Sequence, residues 1–414
     1  MDAVSDVADD QLSPDATRLL RLIGALPTPV VDGHGAAALL DCPVPQACGL
    51  LDALADCGRL TEEPSIDYRL SGPVHAPDSE HAPDVDAALT RYGEFLLAST
   101  TAAEQLLTPT HRVLDRSYTT GTPRTASFPD HAAAMAWLER YRERLGTAVT
   151  YFAEREAHVL VWQLADAMWP LFLRLRVPDM RARVQQLGLD AARADGRVDA
   201  EGMALTSLGG TALNDGRTKE AIGHFTAALE LYEGQGHQRG MGQAANGLGK
   251  TALYRGDLET ARAMFERSLA ERTAAGYERG VYLSREGLGR VALAGGDAAS
   301  AAEHFEASSQ GLISIGDAYD AAWSLGLLAV ACATCGEFAR ADALIERARA
   351  AMIECGSRYG QGGIEDLAAQ AAEQRGDQEA VRLHLIAAAE HFAASDPRRK
   401  DQVLARLPAP PTAT

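Results

Sequence analysis

Lysine is nearly missing from this chain: Lys219, Lys250 and Lys400 are the only three in 414 residues. Arginine carries the rest of the positive charge, and 39 basic residues face 57 acidic ones for a formal net charge of −18. Nucleic-acid binding draws much of its affinity from neutralised phosphates, so this balance argues against a nucleic-acid partner. It argues equally against an anionic membrane surface. Six cysteines in a chain of this length do not make a disulfide framework. Long apolar runs are missing too: the longest, residues 321–335, falls in helical register and is too short to span a bilayer. The first ten residues are acidic and lack the apolar segment of a secretory signal. A cytoplasmic protein of two or three domains is the expectation.

What is abundant is repetition. From about Glu201 to Lys400 the sequence recurs five times with a period of 40 residues. Gly216, Gly256, Gly296, Gly336 and Gly376 form one column, and Gly236, Gly276, Gly316 and Gly356 a second, 20 residues on. Between them run Leu208, Leu248, Leu288 and Leu328, then Phe225, Phe265, Phe305, Ile345 and Leu385. Small residues hold further tracks: Ala221, Ala261, Ala301 and Ala341, and Ala212, Ala252, Ala292 and Ala372, with Cys332 in fourth place. Apolar positions recur at three and four within each unit, so each is expected to be two helices joined at a glycine. Such a unit cannot bury its apolar face alone, and neighbours must stack into a solenoid. The turn glycines permit a left-handed backbone, and Asp257, Asp297, Glu337 and Asp377 after them suit a helix start.

These columns resemble tetratricopeptide repeats, with Leu208-Gly209, Ala212, Ala221, Phe225 and Ala228 in that family's places. The period exceeds the usual one because both helices are longer. An all-α superhelix of helix pairs, right-handed by the resemblance, is therefore expected over residues 200–396.

Ahead of it, residues 1–14 are acidic and expected to be unstructured. Leu19, Leu20, Leu22, Ile23 and Leu26 mark one helix, His34 to Leu40 a second and Val44 to Cys57 a third. Arg59 to Leu70 suggests two short strands around a turn. Three helices and a hairpin make a small winged-helix-like domain over 15–72, followed by a Pro- and Asp-rich linker to residue 84. Helices return over 86–114, 132–154, 158–174 and 178–194, with a looser Pro/Thr segment over 115–129. Residues 85–199 thus form a helical spacer, whose last part fits the 40-residue frame as a degenerate capping repeat. The tail from Pro397 is expected to be unstructured.

Leu19-Leu-Arg-Leu-Ile-Gly, Leu50-Leu-Asp-Ala-Leu, Tyr68-Arg69-Leu70 and Ala136-Trp137-Leu138-Glu139 extend the resemblance. In this order the segments are similar to the C-terminal half of actinobacterial NB-ARC/STAND-type antibiotic-pathway regulators. Two departures stand out. The NTPase and effector domains are expected to be missing, and Ser71-Gly72 stands where the family places a nucleotide-contacting His-Asp pair. The resemblance implies a sensor half without the ATP switch.

Motifs for chemistry are weak. Residues 244–251 satisfy a relaxed P-loop pattern, but Gly249 is the repeat glycine matched by Gly209 and Gly289, inside a helix. Cys332 and Cys335 have half-zinc spacing without a second pair, and Cys42, Cys48 and Cys57 are best explained by burial. His224, His304 and His384 lie two repeats apart, too far to share a metal. No catalytic constellation, cofactor or metal is expected.

The resemblance implies that first-helix positions line a concave face. Position five gives Thr206, Asn246, Glu286, Gly326 and Asp366; position nine gives Gly210, Lys250, Arg290, Val330 and Gln370. Position two supplies Gln243 and Trp323, and position thirteen Asn214 and Tyr254. The expected peptide site is Asn246, Lys250, Tyr254, Glu286, Arg290, Trp323, Gln243 and Asn214. An asparagine pairs with both NH and CO of an extended peptide, and lysine or arginine holds an acidic group. The expectation is a non-catalytic protein- or peptide-binding module of a regulatory or biosynthetic complex, with a homodimer left open. Two alternatives stand beside it. One is a transcriptional regulator working through the winged helix or a DNA-binding partner, although Gln46, Asp52 and Asp56 on the third helix offer no basic reader. The other is an enzyme with a pocket between spacer and solenoid near His158, Trp162 and Trp169.

Overall fold

The computed structural model describes residues 12–64, 67–74, 81–111, 114–175, 177–393 and 395–408. The expectation of an unstructured acidic start therefore falls almost wholly outside the described residues. The chain divides into two compact units. One comprises Met1–Pro109, Val113–Pro170 and Asp190–Asp195; the other comprises Thr110–Arg112, Leu171–Leu189 and Gly196–Thr414.

The first unit opens with α1 (Pro14–Gly24), whose start is fixed by Ser13 accepting from the Ala16 N–H. Strand β1 (Val30–Val31), α2 (Gly33–Leu40), α3 (Val44–Asp56), β2 (Leu60–Glu63) and β3 (Asp67–Leu70) follow. The expected hairpin is present, and β1 joins it as a third strand in the antiparallel order β1-β3-β2. Two residues are too few to show alternation in sequence, yet Val31 opposite Tyr68 is fully buried. Leu19, Leu22, Ile23, Leu39 and Leu51 form the core beneath.

Three long elements complete this unit: α4 (Ala82–Leu107), α5 (His131–Ala153) and α6 (His158–Ala167). Helix α4 starts within the stretch expected as linker. Trp137 stacks on Tyr141 at 4.3 Å, and Phe95 meets Tyr141 edge-on at 6.3 Å. Helix α5 also grips the winged-helix portion, with Arg140 donating to the α2 cap Asp32 at 2.8 Å and Arg144 pairing with buried Asp67 at 2.5 Å. The expected helix over 158–174 is broken after Ala167 and resumes as α7 (Trp169–Arg174), because Pro170 has no N–H to continue the ladder.

The Pro/Thr segment has no regular structure but is firmly fastened. Glu94, buried in α4, accepts from the backbone and hydroxyl groups of both Thr119 and Thr120. Gln163 pairs with Ser117 in both directions, and Arg116 bridges Glu104 at 2.9 Å and Asp166 at 2.8 Å.

The second unit is a solenoid of helix pairs. After α8 (Pro178–Ala194) come α9 (Val198–Asn214), α10 (Thr218–Gly234), α11 (Gln238–Tyr254), α12 (Leu258–Ala274), α13 (Glu278–Ala294), α14 (Ala298–Ser314), α15 (Ala318–Thr334), α16 (Phe338–Glu354), α17 (Arg358–Arg375) and α18 (Gln378–Phe392). One turn chemistry joins them. At the end of α11, Gly256 takes φ +76° and the Asp257 N–H reaches back to the Ala252 carbonyl, closing the helix in a Schellman motif. The Asp257 carboxylate then accepts from the Thr260 N–H and caps α12. Asp297, Asp317 and Asp377 cap in the same way. At these four turns one residue ends a helix and starts the next, whereas Arg217, Tyr277 and Glu337 make no side-chain cap.

Packing between pairs is set by glycine under phenylalanine. A Cβ on Gly209 would lie 2.7 Å from the Phe225 ring, and one on Gly247 would lie 2.3 Å from it. Phe225 is therefore clamped between the first helices of two successive repeats. Phe265 sits likewise between Gly249 and Gly287.

Composition at the C-terminus suggested an unstructured tail from Pro397. Instead Pro397–Leu404 forms α19, capped by Asp396 and seated through buried Val403 on the core of α18. Proline is tolerated there because it occupies the first turn, whose N–H groups have no helical partner. Helix α8 stands 40 residues before α10, and α19 falls in the first-helix place of a sixth unit. Both ends of the array are thus half-repeats that cover its core.

Candidate functional site

Successive first helices of the array pack against one another, as α9 does with α11, α11 with α13 and α15 with α17. Successive second helices do not come equally close among the described residues, so the first helices form the inner wall. The sequence-derived site residues all lie on them.

Asn246 and Lys250 sit one turn apart on α11 and share a face. Asn246 is only 7 % exposed, and its Oδ1 has no hydrogen-bond partner among the described residues. Lys250 is solvent-exposed, although protein crowds it. That enclosure lowers its pKa, with Glu286 opposing the shift. Among the described residues Lys250 makes no ion pair.

Arg290 is already engaged: its Nε donates to Glu286 at 2.9 Å, and the second carboxylate oxygen of Glu286 accepts from Ser324 at 3.2 Å. Gln243 reaches the Thr206 hydroxyl at 3.2 Å. Asn214 and Tyr254 lie at the far ends of their helices, and Tyr254 is 66 % exposed with its hydroxyl beside the Gly216 turn. Trp323 stands apart in repeat four. Its half-buried ring covers Gly363, where a Cβ would come within 1.9 Å, and tilts against Tyr359 at 6.3 Å. The fold therefore gathers Asn246, Lys250, Glu286 and Arg290, leaves Tyr254 one turn beyond Lys250 on the same helix, and separates Asn214 and Trp323 from them.

Family positions pointed past two residues that belong to this charged cluster. Asp320 feels both Glu286 and Lys250; burial and the carboxylates of Asp317 and Glu286 raise its pKa to about 6 against the pull of Arg279 and Lys250. Arg279 pairs with Asp317 at 2.6 Å and with Asp320. Both residues precede the concave columns, at the very start of α13 and α15, and only the short interhelix spacing brings them in. Asp317 also accepts from the Thr110 hydroxyl at 2.9 Å.

Other motifs resolve into structure. Residues 244–251 are helix interior, and the Thr251 hydroxyl donates to the Gly247 carbonyl. Cys332 is buried with its thiol pushed up to about 11 by burial, whereas Cys335 is exposed. His384 donates to the Glu365 carboxylate at 2.8 Å, a packing partner rather than a ligand set. Trp162 donates to Asp195 at 2.9 Å. Among the described residues no metal-binding group of three or more side chains gathers. No helix among them is long and apolar enough to cross a membrane. On α3, Asp52 accepts from Tyr68 at 2.6 Å, and Arg69 of the wing is taken by Glu63.

A family model described as Tetratricopeptide repeat matches residues 201–272. The chain is similar to the Regulatory protein AfsR of Streptomyces griseus, 29% identical over 242 residues, or 55% of this chain and 24% of that protein. The protein of that name from Streptomyces coelicolor is 26% identical over 249 residues. The chain thus spans about a quarter of the length of the curated relatives it matches. Among solved structures it is similar to a Signal Transduction ATPase with Numerous Domains with a tetratricopeptide repeat sensor, from Pyrococcus horikoshii. That likeness has 13% identity and a TM-score of 0.45, and covers 97% of this chain and 66% of the other.

Proposed function

We propose that this tetratricopeptide-repeat protein, which resembles part of a larger bacterial regulator, is a non-catalytic module that captures a peptide segment of a partner protein on its inner wall. A role in protein interaction or regulation is what the repeats and the relatives support. One observation carries the finer reading: a buried, unpartnered amide oxygen at Asn246 stands beside an unpaired lysine on the same helix face. Leaving such an oxygen dry and unbonded costs about 1–3 kcal/mol. An extended backbone laid along the wall supplies the missing N–H once the Asn246 amide turns toward it, and an acidic side chain or terminal carboxylate meets Lys250.

The two cations are not equivalent in this reading. Lys250 is free, whereas Arg290 shares its charge with Glu286 and acts mainly by keeping that carboxylate from repelling the ligand. Partners are protein or peptide, in the cytoplasm, and neither nucleic acid nor membrane. Helix α3 has no basic residue, so any effect on transcription passes through a partner.

Affinity capture from cell extract, read by mass spectrometry, tests this. The Lys250→Glu, Arg290→Glu double variant is expected to fold normally by circular dichroism and to lose the captured proteins. An unchanged set of partners on the double variant would move the site off this wall. Asn246→Ala separates binding from folding more sharply. It is expected to be neutral or stabilising by about 1 kcal/mol, and to weaken capture tenfold or more.

A further inference from the structure

The outer wall of the array holds a groove that the inner-wall reading leaves unused. It lies between α14 and α16 and has a volume of about 230 Å3. Leu325 and Leu328 of α15 form its floor, Leu344 one side, and Ile313, 49 % exposed, the opposite bank. Arg340 and Arg347 stand at its rim. Arg340 is neutralised by Glu306 at 3.1 Å and Glu337 at 2.9 Å. Arg347 is exposed and makes no hydrogen bond or ion pair among the described residues.

The repeat frame shows that this groove is particular to one junction. One unit later, the place of Leu325 is Glu365, whose pairs with Arg349 at 2.6 Å and His384 at 2.8 Å fill the gap with polar groups. One unit earlier, the same place is Arg285. The place of Ile313 is Glu233 in the first unit and Thr273 in the second, then Ile353, 59 % exposed, in the fourth. Equivalent backbone therefore carries polar side chains early in the array and apolar ones from the third unit on. Packing within the array does not require the change, since both isoleucines face water.

We propose that this groove docks an acidic amphipathic helix of a partner protein. Two parallel helices with an apolar floor present the shape that takes a helix through side chains at i, i+3, i+4 and i+7. Exposed Ile313 on one bank supplies anchor area. The sign of the partner follows from Arg347: an unpaired guanidinium beside a desolvating apolar floor favours a carboxylate and repels a cation.

The probe is a labelled synthetic helix with leucine on one face and glutamate on the other, compared with the same helix carrying lysine for glutamate. Fluorescence anisotropy with the full chain is expected to show binding of the glutamate helix alone. Ile313→Glu should weaken it tenfold or more. Arg347→Glu should reverse the preference toward the lysine helix. Both residues are exposed, so neither variant threatens folding, and Lys250→Glu is expected to leave this binding unchanged. Equal binding of the two helices, binding of neither, or indifference to both variants overturns the proposal. A concentration-dependent dimer dissolved by Ile313→Glu in sedimentation would also overturn it, by making a second copy the occupant.

Discussion

Ser268 and Ser284 are both fully buried, and their hydroxyls meet at 2.8 Å where the second repeat joins the third. Ser308 and Ser324 repeat the pair at the next junction at 3.0 Å, whereas the junction before holds Ala228 and Ala244. A buried polar pair is stable only when both members are satisfied. Ser268 also donates to the Gly242 carbonyl at 2.7 Å, and Ser284 also accepts from buried Arg272 at 3.1 Å. The two serines should therefore cost different amounts to remove. Ser268→Ala is expected to lose about 1 kcal/mol, the usual net worth of a neutral hydrogen bond. Ser284→Ala takes an acceptor from a buried guanidinium whose Nε is already without a partner, and should lose about 2–3 kcal/mol. Urea unfolding of the two single variants and the double measures this, with a coupling of about 0.5 kcal/mol or more expected between neighbours in one network. Equal losses, or strict additivity, would mean that the hydroxyls do not act as a pair.

Elements were legible wherever one residue type recurs for one reason. The turn glycines announced the helix boundaries from Asn214 to Gln378, and aspartates after four of them announced the caps, because left-handed backbone and capping each demand a specific side chain. The segment over 115–129 was not legible, since its order comes from Glu94, Gln163 and Glu104 on helices far away in sequence. Helix α19 was hidden by the prolines around it, although Arg406 falls in the register of Asp366 and pairs with it. At the trough, identities were legible but engagement was not: nothing in the sequence says that Arg290 is tied to Glu286 while Lys250 is free. The fastening of the 115–129 segment also has a pH signature. Burial, with Asp166 nearby, raises Glu104 to about 8 against the pull of Arg116. The folded pKa lies above the unfolded value of about 4.3, so this group's contribution is complete below that value and fades as pH rises through about 8. Melting temperature is expected to fall between pH 5 and 9 more steeply for the wild type than for Glu104→Gln, with the variant the more stable at the alkaline end. Parallel pH profiles for the two proteins would remove Glu104 from the account.

At the scale of the repeat unit, the array is quasi-one-dimensional and its ends need not meet. Here they do: Arg398, at the start of α19, pairs at 3.0 Å with Asp215 in the turn between α9 and α10. This contact spans 183 residues of sequence and ties the two ends of the array together. An exposed pair of this kind is worth less than about 1 kcal/mol and is screened by salt. Breaking it should leave the melting temperature nearly unchanged while opening the trough. The scarcity of lysine makes that opening measurable, because acylation by a bulky amine-directed reagent has only three side-chain targets. Lys219, exposed on α10, serves as the internal reference. In Arg398→Glu the ratio of Lys250 to Lys219 labelling is expected to rise at least threefold at low salt. High salt should raise the wild-type ratio to the same level and leave the variant where it is. A ratio that ignores both salt and the substitution would show that the trough is already open to large molecules, and that Arg398 and Asp215 merely touch.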